Sequence, residues 1–379
     1  MSGEIILTNA RAVLRDAVVH GTVVARDGAI EAVEPGATPV AGGEDFEGDY
    51  LLPGLVELHT DNVEKHLMPR PGVSWPSLPA ILAHDAQIIA AGITTVLDAL
   101  SVGAALHNKG RSDMLPEAVE AIGKACAAGL MRADHLLHLR CELSDDGVME
   151  AYEAYRDTPR VRLVSLMDHT PGQRQFVSLE RFKVYYRGRY GLSEAEVDAM
   201  IEKYVARHET VAGYRRAIAA DCRARGVVLA SHDDATEAHI AEAAALHLAI
   251  AEFPTTVEAA EAAHRHHLTT VMGAPNVVRG GSHSGNVSAL DLARRGLLDA
   301  LSSDYMPISL LHAAFLLHQR HGATLPAAIA KVSTNPARMV GLDDRGTIAE
   351  GQRADLIRVT IDHDIPVVRR VWRAGVPVV

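Results

Sequence analysis

His59, Asp61, Glu64, Lys65, His66 and Arg70 fall within twelve residues, inside the stretch LVELHTDNVEKHLMPRPGVSWP at 55–76. The stretch opens apolar, as a buried strand does. Side chains two apart on a strand share a face, so His59 and Asp61 can point to the same place. Imidazoles and carboxylates are ligands of borderline divalent ions such as zinc or manganese. Lysine and arginine are partners for anions. The stretch therefore reads as a cradle for a metal, for an anion, or for both.

Such residues need a scaffold that gathers them. Between the two chain ends, strand-like runs alternate with helical patterns. The runs are LPGLVELHT near 52–60, TTVLDAL at 94–100, HLLHLRCEL at 135–143, VRLVSLMDH at 161–169, VVLASHDD at 227–234, LAIAEFP at 248–254, TTVMGAPN at 269–276 and DALSSDY at 299–305. Several are continuous apolar runs, as parallel strands covered on both faces should be. Helical stretches lie between them: Ser77 reads as an N-cap for a helix that stops at Gly92, and Ser193 with Glu196 reads as a capping box. Eight β-then-α units predict an α/β fold of the (β/α)8 TIM-type barrel class over 51–343. Residues 1–50 and 344–379 read as short strands with Gly turns, and predict a small β-sandwich domain made from both termini. The cationic, aromatic segment 170–192 reads as a long insertion after the fourth barrel strand, suited to a lid or binding loop.

Bulk properties exclude several classes. The chain has 379 residues, 48% of them hydrophobic but only 4% aromatic, so aliphatic side chains must fill a large core. A net charge of −11 argues against a nucleic-acid surface, which needs a basic face. Cys126, Cys141 and Cys222 are odd in number and lack CxxC spacing, which predicts free thiols and a cytoplasmic protein. No apolar run is long enough to span a membrane, and the N-terminus lacks the pattern of a signal peptide.

In a (β/α)8 barrel the chemistry sits at the C-terminal ends of the strands. Reading only those ends gives His59 and Asp61, Glu142, Asp168 and His169, His232 with Asp233 and Asp234, and Asp304. Any one of these alone is as readily a hydrogen-bonded loop residue. Their recurrence at the same end of five predicted strands is what points to a metal centre. Cations accompany them on the adjoining loops, and RGGSHSGN at 279–286 is a Gly-rich loop whose backbone amides could cradle phosphate.

The whole chain resembles the amidohydrolase superfamily. LLPGLVELHTD is similar to its entry motif, SSDY to its last-strand aspartate, and GTIAEGQRADLIRV to its return into the β-sandwich. More narrowly, ELHTDNVEKHLMPRPGVSWP, SLMDHTPGQRQF, ASHDDATEAH, MGAPNVVRGGSHSGNVSA and LSSDYMP resemble the PhnM branch, of the carbon–phosphorus lyase pathway. The resemblance implies hydrolysis of α-D-ribose 1-methylphosphonate 5-triphosphate to the 5-phosphate and pyrophosphate, in phosphonate catabolism. It implies one or two divalent ions, zinc or manganese, held by His59, Asp61, Glu142, His169, His232 and Asp304. Asp304 would be a ligand, the general base, or both. Asp61 stands where the superfamily has a second histidine, and Glu142 substitutes for a bridging lysine. Substrate contacts are expected from Lys65, His66, Arg70, Arg140, Arg174, Arg187, Arg279 and His283. The expected partner is a small-molecule ribosyl triphosphate, with no nucleic acid and no membrane; self-association into a homo-oligomer stays open. The alternative on the same scaffold is an amide hydrolase or deaminase. The density of Arg and Lys on the strand-end loops favours the polyphosphate.

Overall fold

The computed structural model describes residues 3–36, 41–104, 113–170, 174, 180, 183–184, 187–188, 191–282 and 285–379. The ends of the chain meet in one mixed sheet. Its strands are β1 (Glu4–Val13), β2 (Val18–Arg26), β3 (Ala29–Pro35), β4 (Glu44–Asp45) and β5 (Tyr50–Pro53), joined by the late strands β14 (Leu356–Asp362), β15 (Ile365–Arg373) and β16 (Val376–Pro377). The order is β16-β15-β14-β5-β1-β2-β3, with β4 beside β1. Period-two alternation gives this sheet two jobs. Leu51, Leu356 and Trp372 enter a core of its own with Leu7, Val23, Ile30 and Phe46. Their neighbours Leu52, Ile357 and Val371 turn the other way, onto Ile88, Ile89 and Phe315 of the barrel's helices.

The barrel strands are β6 (Leu55–Thr60), β7 (Ile93–Val102), β8 (Asp134–Glu142), β9 (Val161–Met167), β10 (Val228–His232), β11 (Ile250–Glu252), β12 (Thr269–Gly273) and β13 (Ala300–Ser302). They pair in sequence order, all parallel. The gap between the last and first strands is closed by a parallel bridge from Thr60 to Asp304. There Asp304 N donates to His59 O at 3.1 Å, and Asp61 N to Asp304 O at 3.0 Å. The eight runs expected from the sequence are therefore the eight barrel strands. β6 and β7 are buried along their whole length, which explains why they read as unbroken apolar runs. Gly54, at the entry to β6, has no room for a side chain: a Cβ there would lie 2.2 Å from Thr94 Oγ1.

Two helix starts compare usefully. Ser193 and Glu196 form the expected box: Ser193 N donates to Glu196 Oε2 at 2.8 Å, and Glu196 N to Ser193 Oγ at 3.3 Å. Ser77 instead is the first residue of its helix, Ser77–Ala90, and the cap position belongs to Pro76, which has no side-chain donor or acceptor. A proline just before the first turn supplies a fixed φ in place of a capping hydrogen bond. The three cysteines are free, Cys141 and Cys222 buried and Cys126 half-buried. Among the described residues, no helix is long and apolar enough to cross a membrane.

Candidate metal centre

The ends of six barrel strands, β6, β8 and β10 to β13, line a cleft of about 200 Å³. Two trios of ligand-type side chains stand there, each with its ligand atoms within 4.8 Å of one another: His59, Asp61 and Asp304, and His169, His232 and Asp233; a third group that meets the same distance, His59, His232 and Glu252, links them. His59 ends β6 and His232 ends β10; their rings stack with centroids 5.9 Å apart. Asp233 and Asp304 follow β10 and β13 with φ of +56° and +54°. That left-handed step breaks each strand and is disfavoured for a residue with a Cβ. It is paid back by strand-end hydrogen bonds: Asp233 N to Glu252 O at 3.0 Å, and Asp304 N to His59 O.

One acid ties the trios together. Glu252, the last residue of β11, is 1% exposed. Its Oε1 accepts from His59 Nδ1 at 2.7 Å and its Oε2 from His232 Nδ1 at 2.8 Å. Burial opposes its ionisation, but the charge of the His59 ring and the hydrogen bonds from His59 and His232 hold the carboxyl well below its usual range. The same contact acts on His59. Burial resists a charged ring, yet Glu252 overrides it and the pKa rises to about 10. A proton and a cation compete for that ring's lone pair, so the field that favours one favours the other. At Asp304, burial first and Asp61 second push the carboxyl up, while His59 and Arg140 pull it down.

The other expected ligand, Glu142, lies fully buried at the end of β8. Its Oε2 accepts from His169 Nδ1 at 2.5 Å and its Oε1 from Ser144 Oγ at 2.5 Å. It belongs to neither trio and holds His169 from behind. Glu252 and His138 went unmarked in the sequence. His138 Nδ1 donates to Leu58 O at 2.9 Å, and burial drives its pKa down to about 3, so the ring is neutral. Its Nε2 is buried with no hydrogen-bond partner among the described residues, and the ring packs edge-on to His59 at 5.1 Å.

The cations divide sharply. Arg140 lines the cleft, with Nη1 2.5 Å from Asp61 Oδ1. Burial alone would lower its pKa, but Asp61 and Glu64 raise it. Arg279 is exposed and lines the opposite side of the cleft. Lys65 Nζ donates to Tyr305 O and lies 5.2 Å from the Tyr305 ring, at the rim. Arg174 is not brought to the cleft. It is 4% exposed and its guanidinium pairs with Asp234 and Glu242, in a network with Arg215 and Asp168 that is buried except at Glu242. His66 faces Gln87, with Nε2 3.0 Å from its Oε1. Arg70 is exposed on the loop after β6, and Arg187 is exposed; neither lines the cleft. His283 lies outside the described residues, as does most of the insertion 170–192. The remaining wall is mixed: Phe253, Pro254, Met272, Pro275 and Val287 are apolar, and Asn276, Ser282 and Asn286 are polar.

A further His–Asp–His group, His84, Asp98 and His135, is fully buried between β7, β8 and the helix Ser77–Ala90. Its contacts are already complete. His84 Nε2 and His135 Nδ1 reach Asp98 at 2.8 and 2.7 Å, His135 Nε2 reaches Asp85 at 3.3 Å, and His84 Nδ1 meets Asn62 at 3.0 Å. No ring nitrogen of the two histidines is left for an ion. Because Asn62 follows Asp61, the network braces the start of the helix that carries Lys65. Burial disfavours charge on His135, but Asp98 prevails and its pKa rises to about 9. A pKa raised on folding stabilises below the ordinary value, about 6.5, and that stability is lost as pH rises through 9. The melting temperature of wild type should therefore exceed that of His135→Asn most near pH 6, the gap shrinking by pH 9. A gap that stays constant over this range contradicts the assignment.

The donor set suits a divalent ion. Buried imidazoles present their Nε2 atoms beside carboxylates, one side stays open to the cleft, and the Nδ1 atoms of His59, His169 and His232 are each anchored by a carboxylate. Comparison with known proteins agrees with the fold. The amidohydrolase family model matches residues 87–379. The chain is 47% identical over 380 residues to alpha-D-ribose 1-methylphosphonate 5-triphosphate diphosphatase of Escherichia coli (strain K12), covering 98% of this chain and 99% of that one. A dihydroorotase of Methanopyrus kandleri is 35% identical over 101 residues, 22% of each chain. Among solved structures, 5-methylcytosine deaminase from Klebsiella pneumoniae superposes with a TM-score of 0.66 at 14% identity, covering 99% of this chain and 97% of that one. N-acetyl-D-glucosamine-6-phosphate deacetylase from Mycobacterium smegmatis gives 0.64 at 17% identity, with both chains fully covered. These two share the fold. The chain belongs to the amidohydrolase family, in the branch of the α-D-ribose 1-methylphosphonate 5-triphosphate diphosphatase.

Proposed function

We propose that the protein hydrolyses α-D-ribose 1-methylphosphonate 5-triphosphate to the 5-phosphate and pyrophosphate, using one or two divalent ions, zinc or manganese, at the strand-end centre. The observation that carries this reading is the full-length match to the E. coli diphosphatase, which retains 47% identity. The geometry adds independent support, because the cleft joins a metal-type donor set to cationic side chains. The ions are assigned to His59, Asp61 and Asp304 and to His169, His232 and Asp233. The barrel with its donors, 51–343, is the catalytic unit; 1–50 and 344–379 form the supporting domain.

A bound ion of this class supplies Lewis acidity and lowers the pKa of water. The chain's own residues do the rest. Arg140 and Arg279, on opposite sides of the cleft, offset phosphate charge, and guanidinium forks suit phosphate oxygens. Lys65, held at the rim by Tyr305, adds a further positive charge where the outer phosphates emerge. The carboxylate of Asp304 takes the proton of the attacking water; its pKa, raised by burial, fits it to that task. Phe253, Met272 and Val287 give the sugar ring a face to pack against, and Ser282 and Asn286 beside them supply polar groups for its hydroxyls. Positioning and charge neutralisation of this kind account for most phosphoryl-transfer catalysis.

The solved amidohydrolase-fold relatives named above act on aminopyrimidines and acetylated sugar phosphates, so the test must offer those chemistries too. Metal-loaded protein is incubated in parallel with the ribosyl triphosphate, an N-acetylated sugar phosphate and an aminopyrimidine. Turnover of the triphosphate alone supports the reading. Preferential deacetylation or deamination sinks it.

A further inference from the structure

We infer that Glu252 is a positioning residue that makes the two ion-binding trios interdependent, by fixing which ring nitrogen of His59 and of His232 faces the cleft. The inference rests on the metal-dependent reading above and concerns a residue that ligates neither ion in it.

A carboxylate can only accept hydrogen bonds. Glu252 accepts from Nδ1 of His59 at 2.7 Å and from Nδ1 of His232 at 2.8 Å. Both Nδ1 atoms must therefore carry hydrogen, which leaves both Nε2 lone pairs for an ion. Those Nε2 atoms point where the trios are: His59 Nε2 is 3.5 Å from Asp61 Oδ1, and His232 Nε2 is 3.7 Å from Asp233 Oδ2. One trio contains His59 and the other His232, so a single carboxylate sets one ligand of each. Glu252 also reaches the second trio through its backbone, since its carbonyl accepts from Asp233 N at 3.0 Å. Phe253 closes the arrangement: its ring packs edge-on against both imidazoles, at 5.1 and 5.4 Å.

Glu252→Gln separates this role from simple packing. The amide keeps the volume but has one accepting oxygen and one donating nitrogen. It can satisfy Nδ1–H of one ring only. Facing the amide nitrogen, the other ring must turn its Nδ1 into an acceptor and carry its hydrogen on Nε2, where it cannot ligate. The protein as isolated, stripped and reloaded with zinc or with manganese, is measured by elemental analysis and titration calorimetry, with circular dichroism as the fold control. Wild type should hold two equivalents. Glu252→Gln should hold one tightly and the second about 10- to 100-fold more weakly. Glu252→Asp keeps two accepting oxygens on a shorter arm; it should hold both ions, each weakened, and it carries the test if the glutamine variant does not fold. Two equivalents at unchanged affinity in both variants overturn the inference. So does loss of both ions from folded Glu252→Gln, which would make Glu252 a shared ligand, and so does a wild type that holds a single ion. A wild type that binds no ion overturns the metal-dependent reading itself.

Discussion

Asp304→Asn lowers the turnover of the ribosyl triphosphate by about 10²- to 10⁴-fold, the usual contribution of a positioned general base. The fold survives this change for two reasons. The bonds that close the barrel at this point run through the Asp304 backbone, N to His59 O and O to Asp61 N, and do not involve the carboxylate. The carboxyl pKa is also raised in the folded protein, by burial and by Asp61. A carboxyl raised on folding costs stability at every pH above its ordinary value, because folding must then hold a charge it disfavours. Removing that charge leaves the melting temperature of the ion-free protein at neutral pH unchanged or higher. Loss of activity with an equal or higher melting temperature separates a chemical role from a structural one. Normal turnover by Asp304→Asn removes Asp304 from the mechanism, and a collapse of the fold removes the stability argument.

Stripping the ions has an effect as large on activity and an opposite one on stability. Asp61, Asp233, Glu252 and Asp304 converge at one end of the barrel, with Glu142 beneath His169. Protons and Arg140 offset part of that charge when no ion is bound. A cation bound only by the folded state stabilises it by RT ln(1 + [L]/Kd), about 2.7 kcal/mol when the free ion is at a hundred times Kd. Dialysis against a chelator should abolish turnover and lower the melting temperature by a few degrees, and zinc or manganese should restore both. His59→Asn should reproduce the loss of activity without rescue by added ion. Protein that elemental analysis finds free of metal, yet fully active, contradicts the metal-dependent account.

Much of this scaffold was legible because parallel strands covered on both faces must be continuous and apolar. The eight runs and the donors at their ends, His59, His169, His232 and Asp304 among them, follow from that rule. Glu252 escaped because β11 is only three residues long, so its acid sits inside LAIAEFP and looks like the start of a loop. A charged residue ending an otherwise apolar run was the available signal. His138 is hidden for a related reason: in HLLHLRCEL it lies inside the apolar run, four residues before the strand end. Arg174 shows the opposite limit. Its charge suggested a phosphate, but its acidic partners are Asp234 and Glu242, 60 and 68 positions away, and no local pattern carries that information. His84, Asp98 and His135 likewise read as isolated polar residues until the helix and two strands bring them together.

The most direct test of the account is product analysis by phosphorus NMR after hydrolysis of the ribosyl triphosphate by metal-loaded protein in ¹⁸O-labelled water. The expected result is one pyrophosphate for each 5-phosphate formed, with the label on the 5-phosphate, the outcome that the proposed attack of water at the α-phosphorus gives. Release of single orthophosphate, or intact triphosphate after prolonged incubation, contradicts the account.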